Sequence, residues 1–248
     1  MALGKLDGVQ DTNIGKASAL TSSNLGKVGN TIMGYDSYTK LLLHMDGSNG
    51  STTFTDSALS RSFTAYGNAQ ITTADGKFNQ SAYFDGTGDY IKTPYTSDLD
   101  FGTGDYTIDF WMKSTQTGTH YLFDRCDGTI TSYDDLALQI HSGELRLLVD
   151  DGTDTRYVVI SSTSGANANN GSWNHIALVR YSGNTNIYVN GASKLSISIS
   201  YNVTFTSSLR IGGQETFNNY YQGYIDEFRW SKGIARWTTT FTPPTSPY

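Results

Sequence analysis

The chain has 248 residues, 37% of them hydrophobic and only 16% charged, with 26 glycines and 17 tyrosines. That length fits one all-β sandwich with no second globular domain required, and the Gly- and Tyr-rich, charge-poor balance suits short strands and turns better than helices. A net charge of −6 argues against a nucleic-acid surface. The single cysteine, Cys126, excludes an internal disulfide, and no stretch approaches the roughly 18 apolar residues of a membrane span.

No aromatic side chain precedes Tyr35, and this leader carries a repeat: Leu3-Gly-Lys5, Ile14-Gly-Lys16 and Leu25-Gly-Lys27 recur every eleven residues. Leu6, Ala17 and Val28 follow in one register, and Val9 and Leu20 in another. An eleven-residue period can mark a right-handed helical coil. Each copy here contains Gly among Ser, Asn and Thr, which favours turns or extended chain. A disordered linker needs composition but no register. Residues 1–37 are therefore read as a docking arm whose Leu3, Leu6, Ile14, Leu20, Leu25 and Val28 enter repeated sockets on a partner. Met1-Ala-Leu-Gly-Lys-Leu-Asp-Gly lacks the apolar core of a secretory signal, so synthesis in a cytoplasm is expected.

From Tyr38 the pattern has period two. Tyr106, Ile108, Phe110 and Met112 alternate with Thr107, Asp109, Trp111 and Lys113, which aims one apolar row at a core. Leu136–His141 and Glu144–Val149 flank Ser142-Gly143, predicting a hairpin in which Leu136, Leu138 and Ile140 face Leu145, Leu147 and Val149. Asn190-Gly191 predicts another. Asp-Gly and Asn-Gly pairs leave little uninterrupted length for helix. One helical turn is expected at Ser231–Arg236, with Pro243 and Pro244 keeping the tail extended and Trp237 and Phe241 pinning it to the sandwich.

The chemistry offered is modest. Asp226 and Glu227 are adjacent, so on a regular strand they would point to opposite faces and form no glycosidase pair between themselves. His44, His120, His141 and His175 show no metal-ligand spacing. Sugar sites combine an aromatic face with polar groups for hydroxyls, a combination present in the loops bearing Tyr133, Asp134 and Asp135 and bearing Asn218, Tyr220 and Tyr221. Tyrosines at strand ends also serve simply to bury a ring and wet its hydroxyl.

Leu41-Leu-Leu-His44-Met-Asp46-Gly with Phe54-Thr-Asp56, Ser81 to Ile91, Tyr106-Thr-Ile-Asp-Phe-Trp111, Trp173 to Arg180, Tyr188-Val-Asn-Gly191, Leu209-Arg-Ile-Gly-Gly213 and the closing Tyr221 to Trp237 occur in that order. Over about residues 38–248 this set resembles laminin G-like domains, a branch of the concanavalin A-like lectin/glucanase superfamily. The resemblance implies an all-β, two-sheet antiparallel jelly-roll sandwich behind an extended N-terminal arm. It also implies a structural calcium ion held by Asp46, Asp56 and Asp226. The structural alternative is that Asp46 opens a turn, Asp56 caps a loop and Asp226 pairs with Arg229 or Arg180.

Chains that join such an arm to such a domain resemble virion components. The expected function is thus a non-enzymatic capsid decoration or tail-fibre protein of a bacteriophage or related virus, present in several copies or as a homo-oligomer. The arm would meet a capsid or tail protein, and the sandwich a cell-surface glycan. A free, extracellular, calcium-assisted lectin or adhesin is the second reading and an endo-glycanase a distant third.

Overall fold

The computed structural model describes residues 27–28, 31–32, 35–125, 136–149, 158–160, 166–199, 202–203, 207–214, 216 and 218–248. In chain order the strands are β1 (Lys27–Val28), β2 (Thr31–Ile32), β3 (Thr39–Leu43), β4 (Phe54–Thr55), β5 (Ser62–Tyr66), β6 (Gln70–Thr72), β7 (Ser81–Asp85), β8 (Tyr90–Thr93), β9 (Tyr106–Lys113) and β10 (Thr119–Asp124). There follow β11 (Leu136–His141), β12 (Glu144–Val149), β13 (Val158–Ile160), β14 (Asn174–Tyr181), β15 (Asn184–Val189), β16 (Ala192–Ser198), β17 (Leu209–Ile211), β18 (Gly213–Gln214), β19 (Asn219–Tyr220) and β20 (Gln222–Lys232).

Two large antiparallel sheets form the sandwich. Sheet I runs β16-β15-β14-β9-β20-β7-β6, with β3 also paired to β20, and sheet II runs β13-β12-β11-β10-β17-β8-β5-β4. Alternation decides what lies between them: Tyr106, Ile108, Phe110 and Met112 all enter the shared core, as the period-two pattern predicts. There Phe110 stacks on Phe228 at 5.3 Å and Phe101 on Trp230 at 4.7 Å. Burying each such ring contributes about 1.5 to 3 kcal/mol.

The hairpin registers follow the sequence. Leu136 faces Val149, Leu138 faces Leu147 and Ile140 faces Leu145. Ser142 and Gly143 turn with φ of 52° and 86°, the positive pair a primed turn requires. Asn190 and Gly191 do the same between β15 and β16, with φ of 51° and 78°. Gly191 is required for a second reason, since a Cβ there would sit 1.7 Å from the Phe241 carbonyl oxygen of the tail.

Two expectations are settled differently or fall elsewhere. Ser231–Arg236 makes no helical turn: Ser231 pairs with Thr39 and Thr107, Lys232 completes β20, and Gly233 turns the chain at φ 85°. Ladder hydrogen bonds on both edges outweigh the local preference. Among the described residues the helical element is a 3-10 turn at Ser97–Leu99, N-capped by Thr96. Of the arm, Leu3, Leu6, Ile14, Leu20 and Leu25 lie outside the described residues. Val28 lies on β1, which pairs with β2. No helix among the described residues is long and apolar enough to cross a membrane.

Candidate functional site

The outward face of sheet I carries the densest chemistry, and the tail crosses it. Trp237 stacks on Phe241 at 4.0 Å, and both pack with Ala235 on Ala177, Val179 and Tyr188. Beside them Asp109, 0% exposed, receives Arg229 through Nε at 3.0 Å and Nη2 at 2.9 Å. Tyr248 closes the cluster. Its hydroxyl donates to Asp109 and lies 3.1 Å from His175 Nε2, and the Arg229 guanidinium sits 3.6 Å over its ring. Burial opposes ionisation of Asp109, yet the Arg229 charge and the hydrogen bonds from His175 and Arg229 hold its carboxyl far below the usual range. Burial pushes His175 down, against the pull of Asp109.

A β-bulge rearranges the neighbouring acids. Asp226 faces Trp111 and Arg229 faces Asp109, so three steps along β20 span two along β9, and Glu227 takes a φ of 51°. The extra residue overturns the expectation that Asp226 and Glu227 point to opposite faces. Asp226 shares the outward face of its cross-strand partner Trp111. Glu227 reaches the same side, where its Oε2 accepts the Tyr248 amide at 2.9 Å and its Oε1 lies 2.8 Å from His44 Nδ1. Asp226 accepts the amides of Lys77 and Phe78 at 3.0 and 3.1 Å. Burial, with the Glu227 charge, raises its carboxyl to about 7, although the amides pull the other way. Asp109, Asp226 and Glu227 are at most 2% exposed, so a sugar cannot enter between them.

The residues expected to hold calcium are engaged separately. Asp56 is fully buried; its Oδ1 accepts Leu42 N at 2.9 Å and Ala58 N at 2.8 Å, and its Oδ2 meets Arg61 Nη1 at 3.0 Å. That is the loop-capping alternative. Asp46 is exposed on the rim of a cleft of about 430 Å³ beside His44, floored by Leu43, Phe54 and Ile71. Asp226 pairs with neither arginine considered for it, because Arg229 serves Asp109 and Arg180 donates to Gly102 O. Among the described residues no three of His, Cys, Asp and Glu converge as metal ligands.

A second cleft, of about 250 Å³, opens where β7, β9 and β20 end. Tyr83 and Tyr224 are cross-strand partners with rings 5.3 Å apart, and Lys113 lies opposite Tyr224 on the next strand. Trp173 lies 6.3 Å from Tyr224 and donates its Nε1–H to Asp75, which also holds Lys113 Nζ at 2.6 Å. The backbone beneath is fixed: a Cβ on Gly223 would lie 2.3 Å from Lys113 O. Gln116 braces the rim, donating to Tyr220 O at 3.1 Å and accepting from Gln222 N at 2.6 Å. Aromatic faces beside an ammonium, carboxamide and hydroxyl groups form a surface that can stack a sugar ring and bind its hydroxyls.

Of the expected glycan residues, Tyr221 is corrected. It is 0% exposed and donates to Lys113 O at 2.9 Å, an anchor under the cleft. Asn218 is exposed and accepts the Tyr220 hydroxyl at 3.2 Å, while Tyr220 stacks on Tyr90 on the sheet II side. Tyr133, Asp134 and Asp135 lie outside the described residues. Tyr83 and Tyr224 were missed, although both occupy outward registers, beside the core residues Phe84 and Ile225 respectively.

Residues 85–236 match the laminin G family model described as the concanavalin A-like lectin/glucanases superfamily. No curated protein matches the sequence. Among solved structures, the binding domain of Paraclostridial Mosquitocidal Protein 1 is similar, with a TM-score of 0.64 at 15% identity over 80% of this chain and 50% of that one. The botulinum neurotoxin serotype D binding domain gives 0.59 at 14% identity, over 80% of this chain and 49% of that one. The serotype D ligand binding domain in complex with N-acetylneuraminic acid gives 0.59 at 16%, over 80% and 48%. This chain spans about half the length of these structures, and at such identities they share its fold alone. The family match covers more than half of the sequence and agrees with the two-sheet sandwich, so the chain belongs to the concanavalin A-like lectin/glucanase superfamily.

Proposed function

We propose that this chain is a non-enzymatic glycan-binding component of a virus particle, a bacteriophage capsid decoration or tail-fibre protein displaying a lectin-type sandwich from an N-terminal docking arm. The observation that carries the binding role is the Tyr83–Tyr224 cleft, with the Trp173–Asp75–Lys113 chain at its side. Burial of Asp109, Asp226 and Glu227 supports binding rather than hydrolysis. The eleven-residue register of the leader supports attachment to a repeating partner.

The test is a glycan array probed with the full chain and with Tyr224→Ala. Saturable binding lost in the variant supports the reading; equal binding by both proteins removes the cleft from it. A free lectin is the second reading, supported by the likeness to toxin binding domains, one of them in complex with N-acetylneuraminic acid. Glycan binding by a fragment lacking the leader, with no capsid or tail protein retained by the full chain, would favour that second reading. Release of reducing sugar by the purified protein would instead restore a glycanase.

A further inference from the structure

We propose that the outward face of sheet II is a second carbohydrate surface, separate from the rim cleft, and that it takes a polysaccharide bearing carboxylates. The alternation of three strands builds it. Phe63 and Ala65 of β5, Ile91 of β8, and Leu209 and Ile211 of β17 pack on the core. Thr64, Tyr66, Tyr90, Lys92 and Arg210 therefore face outward.

Register sorts these residues into two rows. Tyr66 lies opposite Tyr90, and Thr64, Lys92, Arg210 and Asp124 follow one another across four strands. The rows are two residues apart along each strand, a separation of about 7 Å.

The aromatic row is a column of parallel rings. Tyr66 stacks on Tyr90 at 4.4 Å and 9°, and Tyr90 on Tyr220 at 6.4 Å and 11°. Tyr90 is 4% exposed while Tyr66 remains 39% exposed, so the column ends in one open ring. Its turn has little freedom. Gly67 adopts φ 63°, where a Cβ would sit 2.3 Å from Asp89 Oδ1, and the fully buried Asp89 accepts the Asp85 amide at 2.7 Å and the Asn68 amide. Tyr66, held flat against Tyr90, which Tyr220 backs in turn, pays little entropy to receive a sugar face.

The polar row supplies the selectivity. Arg210 pairs with Asp124 at 3.3 Å, whereas half-buried Lys92 pairs with no carboxylate among the described residues. A hexose stacked on Tyr66 brings an acidic substituent within reach of that ammonium. Solvent-screened charge pairs contribute weakly, so stacking supplies affinity and Lys92 discriminates acidic from neutral chains.

The experiment is calorimetric titration of the full chain with polygalacturonate, and with dextran as the neutral polymer, at low and high salt. Wild type is expected to bind polygalacturonate, more weakly at high salt. Tyr66→Ala should weaken that binding about ten-fold, the scale of one aromatic stacking contact. Lys92→Gln should bring polygalacturonate to the level of dextran, and Tyr181→Ala, at an exposed tyrosine of β14 on the other sheet, should leave both unchanged. Melting curves matching wild type would show that the exposed-face variants fold. The proposal is overturned if wild type ignores polygalacturonate, if Tyr66→Ala and Lys92→Gln both bind it as wild type does, or if the rim-cleft variant Tyr224→Ala alone abolishes binding.

Discussion

At the residue scale, the bulge on β20 is the least expected feature, because it places Asp226 and Glu227 on one face and buries both. The Asp226 carboxyl titrates near 7 in the fold, whereas an unfolded chain titrates near 3.9. Between those values the unfolded chain has released the proton that the folded chain still holds, so stability falls as pH rises through that window. Asp226→Asn keeps an oxygen for the Lys77 and Phe78 amides and removes the charge. It should therefore melt above wild type at pH 8 by the equivalent of roughly 2 to 4 kcal/mol, with the two curves merging by about pH 4. Calorimetry across that range decides. A variant that melts lower at pH 8, and has lost a calcium-dependent gain seen only in wild type, would mean the carboxylate works ionised beside a cation.

At the element scale, the tail acts as a clasp rather than a loose end. Tyr248 donates to Asp109 and stacks on Arg229, Trp237 and Phe241 cover the apolar part of sheet I, and Arg236 pairs with Asp36 at 2.9 Å. Tyr248→Phe keeps the ring stack but strips the hydroxyl that donates to Asp109 and lies beside His175 Nε2, and should cost about 1 to 3 kcal/mol in urea unfolding. Asp109→Asn leaves the Arg229 charge buried without its partner and should cost about 3 to 5 kcal/mol. The Asp109 and Asp36 carboxyls are both depressed in the fold. Their stabilisation is present above about pH 4 and is lost as pH falls toward the folded values, so Asp109→Asn should also flatten the acid limb of the stability curve. A silent Tyr248→Phe would mean that the Tyr248 hydroxyl contributes nothing to the clasp. These contacts also mark where sequence reading stops. The Leu136 and Leu145 rows, the Ser142-Gly143 and Asn190-Gly191 turns and the pinning of Trp237 and Phe241 were legible because period and turn chemistry are local. The bulge at Glu227, the Asp109–Arg229–Tyr248 cluster and the Tyr83–Tyr224 cleft join residues distant in the chain, and only strand register brings them together.

At the scale of the whole molecule, the sandwich and the leader make separable demands on the sequence. The core is assembled between two sheets whose described strands begin at β3, and the earliest described side chain fastened to the body is Asp36, through Thr39 and Arg236. The repeat at Leu3, Ile14 and Leu25 would be wasted on that body, since a sandwich needs period two and these apolar positions recur every eleven residues. On the proposed reading, deleting residues 1–33 should leave the melting temperature and any glycan profile as they are, while abolishing retention on a virus particle. The measurement pairs calorimetry with co-sedimentation of tagged protein and virions. A melting temperature lowered by several degrees would make the leader part of the fold. Unchanged co-sedimentation would move attachment to the sandwich itself, and the docking role would then pass to the exposed aromatic faces that the strand alternation leaves open.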